Sequence, residues 1–211
     1  MRSFRHWTAK YLINRIGVIW YEFSKPDHPW LSRSANNILD SYLTKSDVGL
    51  EFGSGRSTVW FAKRIAHLTT VEHDDSWAVM VRQLLLKTEC TNIKYHLLST
   101  DAIDKEGTNS PYVSVIDTLD DVSLDFCLVD GSHREFCALR VLKKIRPGGL
   151  LVIDNVNWFL SSDSNSPNSR SFADGPNGPT WKEVEDLLSD WRRIWTTSGV
   201  SDTALFIKPC N

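Results

Sequence analysis

The residues best suited to chemistry in this chain share one kind of position, at or just after the end of an apolar run. Glu51 lies in "VGLEF" and leads into the loop "GSGRST", while Glu72 closes "LTTVE". Asp101 follows "NIKYHLLST", Asp130 closes "SLDFCLVD", and Asp154-Asn155 close "LLVIDN". Packing does not call for acids at so many strand ends. In a parallel sheet, ligands bind outside the carboxyl ends of the strands. The pattern therefore predicts one polar site along one edge of a sheet.

The stretch "VGLEFGSGRSTVW", residues 48–60, reads as a strand, a glycine loop and a helix. Gly53 and Gly55, with Ser54 between them, let the backbone pass close to a small molecule. Ser57 and Thr58 open the helix, whose free N–H groups attract a negatively charged group. Glu72 lies about 20 residues further on, where an acid hydrogen-bonds the ribose hydroxyls of a nucleoside cofactor. The third glycine of the dinucleotide fingerprint is absent, because Thr58 occupies its place. A pyrophosphate needs that glycine and would be repelled by Glu51 and Asp130. The small amino-acid group and positive sulfonium of S-adenosylmethionine suit the loop better. Arg56 is expected to be a solvated side chain.

The elements that must position these residues follow from periodicity. Apolar runs at 48–52, 68–72, 92–98, 123–130 and 150–154 alternate with helical spacing at 57–66, 76–87 and 136–145. The last of these helices is closed by Arg146-Pro147-Gly148-Gly149. Continuous apolar strands separated by amphipathic helices imply a doubly wound parallel α/β sheet covered on both faces. A helix over 180–191 precedes two runs, 193–197 and 203–209, joined by "SGVSD". Runs so close must pair as an antiparallel hairpin. The expectation is a seven-stranded, mostly parallel sheet ending in that hairpin, with N-terminal helices. The polar segment 161–179, rich in Ser, Asn, Gly and Pro, is long enough to cover a site.

Composition narrows the class. The chain has 211 residues, 41% of them apolar and 24% charged, with a formal net charge of −2. That size suits one domain, with a helical lid or contact segment over 1–45 and a core over 46–211. The charge argues against a nucleic-acid partner. The four cysteines form no C-x-x-C pair, which reads as reduced thiols in the cytoplasm. No stretch reaches the roughly 20 apolar residues of a membrane span. The basic, aromatic N-terminal helix reads as a lid, as a subunit contact in a homodimer, or as a helix lying on an anionic membrane surface.

Taken together, "VGLEFGSGRST", the acid in "TTVEHD", "DFCLVDGSH", "RPGGLLVIDN" and the closing hairpin resemble the class I S-adenosylmethionine-dependent methyltransferases. The resemblance implies cofactor contacts from Glu51, Gly53, Gly55 and Glu72, with His73 against the adenine and Asp101 near its amino group. It also resembles the cation-dependent O-methyltransferases of the catechol type. There, an aspartate after strand four and an Asp-Asn after strand five hold a divalent metal. By that resemblance Asp130, Asp154 and Asn155 would bind Mg²⁺ or another divalent ion, a hard oxygen set of the kind Mg²⁺ prefers. His133 stands where that type has its lysine base, and an imidazole can accept a hydroxyl proton. The implied activity is methyl transfer to a hydroxyl of a small molecule. The rivals are a non-catalytic protein that binds the same cofactor and a nicotinamide-dependent oxidoreductase.

Overall fold

The structure, a computed structural model, describes residues 8–101 and 108–210, so the first seven residues of the N-terminal segment lie outside it. Seven strands form one sheet: β1 (Val48–Phe52), β2 (His67–Glu72), β3 (Ile93–Leu97), β4 (Leu124–Val129), β5 (Ile145–Asp154), β6 (Arg192–Thr197) and β7 (Asp202–Ile207). Their order is β3-β2-β1-β4-β5-β7-β6, and β7 pairs antiparallel with both β5 and β6. The mostly parallel sheet and closing hairpin expected from the sequence are both present.

The central strands are continuous apolar runs because both of their faces are buried. Cys127, Val129, Leu151 and Ile153 point to one face. There they meet the helix α6 (Arg134–Val141) through Cys137, Ala138 and Val141, and α7 (Pro179–Leu187) through Trp181 and Val184. Phe126, Leu128, Leu150 and Val152 point to the other. That face is covered by α2 (Arg33–Tyr42) through Ala35 and Leu39, and by α3 (Arg56–Ala62) through Trp60 and Phe61. The one-residue alternation between two helix layers is what a doubly covered sheet requires. Three further helices are α1 (Ala9–Ser24), α4 (Asp75–Leu86) and the short α5 (Pro111–Ser114).

One boundary differs from the periodicity. Helix α6 ends at Val141, and β5 begins at Ile145, so Arg146-Pro147-Gly148-Gly149 belong to a strand rather than a helix stop. Backbone pairing explains this. Lys143 and Lys144 carbonyls accept from Val122 and Leu124, while Gly148 and Gly149 exchange hydrogen bonds with Lys208 at 2.9 Å. The strand accommodates the extra residues by a register shift opposite Leu124–Phe126.

Sheet order then places the site. The chain winds outward from β1 to β3 and returns to β4 on the other side of β1, so the loops after β1 and β4 lie side by side. That adjacency is the switch point at which open α/β sheets bind ligands.

Candidate active site

The glycine loop after β1 is built from two close backbone approaches. Gly53 has φ +93°, and a Cβ there would lie 2.9 Å from the Gly131 nitrogen. Gly131 in turn leaves room for the Tyr112 hydroxyl, which would stand 1.9 Å from a Cβ. Gly53 therefore serves contact between the two loops. Gly55 differs: its nearest neighbours would be 3.8 and 3.9 Å from a Cβ, and it faces a cavity of about 220 Å³. Trp30, Arg56, Trp77 and Met80 line the same space. Arg56 is half-buried, with its guanidinium 4.6 Å from the Trp30 ring. Its Nη1 is shielded from solvent and makes no hydrogen bond. The expectation of a solvated Arg56 is thus corrected, because the ring of Trp30 covers it.

Beneath the loop, Glu51 is fully buried. Its Oε2 accepts from Thr58 Oγ1 at 2.6 Å and Thr70 Oγ1 at 2.7 Å, while Oε1 has no partner among the described residues. Burial pushes this carboxyl up to about 7, opposed by the hydroxyls of Ser57, Thr58 and Thr70. Thr58 also accepts from the Gly55 nitrogen at 3.0 Å, so its hydroxyl ties the loop to the buried acid. The residue replacing the third glycine is a brace.

Glu72 is also buried, and its oxygens are engaged within the chain. Oε2 accepts from Ser54 N at 3.0 Å and Ser54 Oγ at 2.8 Å. Oε1 accepts from His73 N at 2.8 Å and Asp74 N at 3.0 Å. A carboxylate has about four acceptor sites, so a ribose would have to replace one of these bonds. Ser54 Oγ has a second partner, Tyr95 OH at 3.0 Å, which makes it the bond to exchange. His73 bridges the loops through Nε2, 3.1 Å from Ser132 Oγ. Asp101 is exposed, its nitrogen donates to Ser99 Oγ at 2.9 Å, and it is not among the residues lining the cavity at Gly55.

At the other end of the edge, the chain turns after β4 and β5 through left-handed residues, His133 (φ 47°) and Asn155 (φ 49°). The turns converge carbonyls on Arg134, in the first turn of α6. Nε donates to Gly131 O at 2.9 Å. Nη1 donates to Asp154 O at 2.6 Å and Asn155 Oδ1 at 3.2 Å. Nη2 donates to Asp130 O at 2.7 Å and Asp130 Oδ1 at 2.9 Å. All five guanidinium donors are thereby used. Asp154 turns its carboxyl into β7 instead, accepting from Thr203 Oγ1 at 2.6 Å. Burial raises both aspartates above the ordinary carboxyl range. Asp154 is lifted further by the charge of Asp130, and Arg134 opposes the shift at both.

Residues 50–156, just over half of the chain, match the family model described as a methyltransferase domain. The chain belongs to this methyltransferase family. No curated protein sequence matches it. Among solved structures, a methyltransferase-like protein from Silicibacter pomeroyi DSS-3 is 22% identical with a TM-score of 0.55, covering 85% of this chain and 87% of that one. A provisionally named caffeoyl-CoA O-methyltransferase from Staphylococcus aureus is 14% identical with a TM-score of 0.57, covering 97% and 94%. A provisionally named methyltransferase from Streptococcus mutans, solved in complex with SAH, is 10% identical with a TM-score of 0.54, covering 83% and 96%. At these identities the likeness is one of fold.

Within this methyltransferase, the expected metal does not fit the residues. Asp130 Oδ1 and Asn155 Oδ1 accept from a guanidinium whose charge is permanent, and Asp154 Oδ1 accepts from Thr203. A divalent ion at the same oxygens would face that charge directly. No group of three His, Cys, Asp or Glu is placed to hold a metal among the described residues.

His133 Nε2 lies 3.1 Å from the Thr100 carbonyl, which can only accept, so Nε2 carries a hydrogen, and in the neutral ring the lone pair is then on Nδ1. Sequence reasoning missed Arg134, Trp30 and Trp77. For Arg134 a signal existed, since an acid four residues ahead of an arginine marks an ion pair across a helix start. Trp181 is core, its ring stacked on Phe159 with centroids 4.8 Å apart, whereas Trp195 lines a second cavity. This space of about 880 Å³ lies between α1, β6 and the 161–172 segment. That segment is pinned by Ser166 Oγ to Asp202 at 2.6 Å and by Arg170 N to Asn157 O at 3.0 Å.

Proposed function

We propose that this chain transfers a methyl group from S-adenosylmethionine to a hydroxyl of a small molecule, without a metal at Asp130. The observation that carries the reading is the cavity at the glycine loop. It joins an open Gly55, an Arg56 nitrogen with no partner, and two indole rings. An amino-acid carboxylate pairs with Arg56, and the buried Oε1 of Glu51 is a partner for the ammonium group beside it. Gly53, Ser57 and Thr58 shape the loop from beneath. Glu72 takes a ribose hydroxyl in exchange for the Ser54 hydroxyl, and His73 with Asp101 frames the adenine end. When bound, the sulfonium supplies an activated methyl group, and its carbon–sulfur electron pair stays on sulfur as the acceptor oxygen forms the new bond. Asp130, held by Arg134, presents negative charge towards the sulfonium. His133 takes the hydroxyl proton on Nδ1, its ring oriented by the Thr100 carbonyl.

Calorimetry with S-adenosylmethionine, its demethylated product and NADH tests the cofactor. The expected result is micromolar binding of the first two, and NADH binding alone would overturn it. Labelled methyl transfer across phenols, sugars and hydroxy acids, with and without chelator, tests the reaction. His133→Ala is expected to lower turnover about 100-fold with cofactor affinity unchanged.

A further inference from the structure

Helix α1 is mounted with its apolar face outward. Leu12, Ile13, Ile16, Ile19, Trp20 and Phe23 are between 46% and 86% exposed, and the helix buries no residue. They recur at the spacing that puts side chains on one side of a helix. The half-buried inner side is Tyr11, Asn14, Val18, Tyr21 and Glu22. Its attachments are polar or use small residues. Asn14 packs on Gly199, where a Cβ would lie 2.0 Å from its amide. The Tyr21 hydroxyl meets His28 Nδ1 at 3.0 Å and the Asn36 amide at 3.4 Å. A helix folded only for its own domain would bury the isoleucines and expose the amides.

We infer that α1 docks this protein on an anionic lipid surface, lying in the headgroup plane. Charge selects that occupant. Lys10 and Arg15 stand exposed beside the stripe, Arg2 and Arg5 precede it, and no acid occurs before Glu22, which is on the inner side. Basic residues flanking an apolar face with Trp and Phe are the composition of a surface-lying helix. Each cation near such a surface strengthens attachment. A second copy fits less well. Two-fold pairing about Ile16 brings Arg15 of the two copies together, and six side chains on one helix fall short of the roughly 20–30 residues a side in a stable interface. No helix among the described residues is long and apolar enough to cross a membrane, so the contact is with the surface.

Flotation of the whole chain with vesicles tests this. Vesicles of phosphatidylcholine containing about 30% phosphatidylglycerol are expected to hold at least about ten-fold more protein than phosphatidylcholine alone. The difference is expected to shrink in about 0.5 M salt, where screening is short-ranged. Ile16→Asp and Phe23→Asp, both at exposed positions, are expected to abolish binding while leaving the thermal midpoint unchanged. Equal binding of the variants, or no binding to either vesicle at about millimolar lipid, would overturn the inference. So would a dimer seen by light scattering that Ile16→Asp dissolves, which would assign the face to a second copy. None of these readouts depends on methyl transfer.

Discussion

At the β1–β2 end of the site, Glu51 and Glu72 are held by hydroxyls and backbone amides. At the β4–β5 end, Asp130 and Asp154 share the neighbourhood of a guanidinium that satisfies five acceptors. Neutral donors stabilise a carboxylate through hydrogen bonds alone, so burial still decides its protonation. That is why Glu51 titrates near neutrality while keeping two short hydrogen bonds. A guanidinium adds countercharge, so the loops around it depend on charge for their arrangement. The first end is organised to be adjustable, with Ser54 able to trade partners. The second is organised to stay fixed.

The largest test of that contrast is removal of the cation. Arg134→Ala leaves the Asp130 carboxylate, the Asn155 amide oxygen and three backbone carbonyls without their donor, and is expected to lower unfolding free energy by about 3 kcal/mol in urea titration. Arg134→Lys should recover less than half, because an ammonium lacks the planar fork. A loss below about 1 kcal/mol would erase the distinction between the two ends.

The second test is pH. The carboxyl of Glu51 rises from 4.5 to about 7 on folding, so between those values the native state holds the extra proton. Stability contributed by this group is complete below pH 4.5 and is lost as pH rises through 7, by about 3 kcal/mol in full. Glu51→Gln should remove this group's share of the slope from a stability-versus-pH series, leaving the share of Asp154, which burial raises to about 8. A wild-type curve that is flat or rising across the window would contradict neutral-donor control.

The smallest effects separate the two glycines of the loop. Gly53→Ala introduces a side chain at φ +93° against the Gly131 backbone and should cost about 2 kcal/mol of stability. Gly55→Ala meets only ordinary van der Waals contact, at 3.8 Å from Trp77 and 3.9 Å from Ser57, so its stability change should stay within about 0.5 kcal/mol. On the proposed reading it weakens cofactor binding about ten-fold by filling the cavity. Equal stability losses would mean that both glycines serve the fold alone.

Much of this was legible from one dimension. Strands such as "DFCLVD" and "LLVID" are unbroken apolar runs because the sheet is covered twice, and that burial is written in residue type. Their acids fall at one edge because parallel strands share a direction. The extension of β5 back to Ile145 was hidden. A Pro-Gly-Gly run reads as a stop until the β7 end supplies partners for its backbone. Arg134 was hidden for a similar reason, since four of its five acceptors are backbone carbonyls or an amide brought in from loops that turn through left-handed residues. Asp101, read as a site acid from its place after β3, is exposed and lies outside the lining of the cavity at Gly55.

The amino-acid sequence by itself determined the alternation of strands and helices, the hairpin that closes the sheet and the polar edge with its glycine loop. These depend on local burial pattern and chain direction. Tertiary structure decided which glycine faces the cavity, that a guanidinium stands among the oxygens expected to bind a metal, and that α1 turns its apolar side outward. Each of those outcomes depends on which distant backbone or side-chain group arrives first at a given charge or apolar surface, and only the folded chain brings them together.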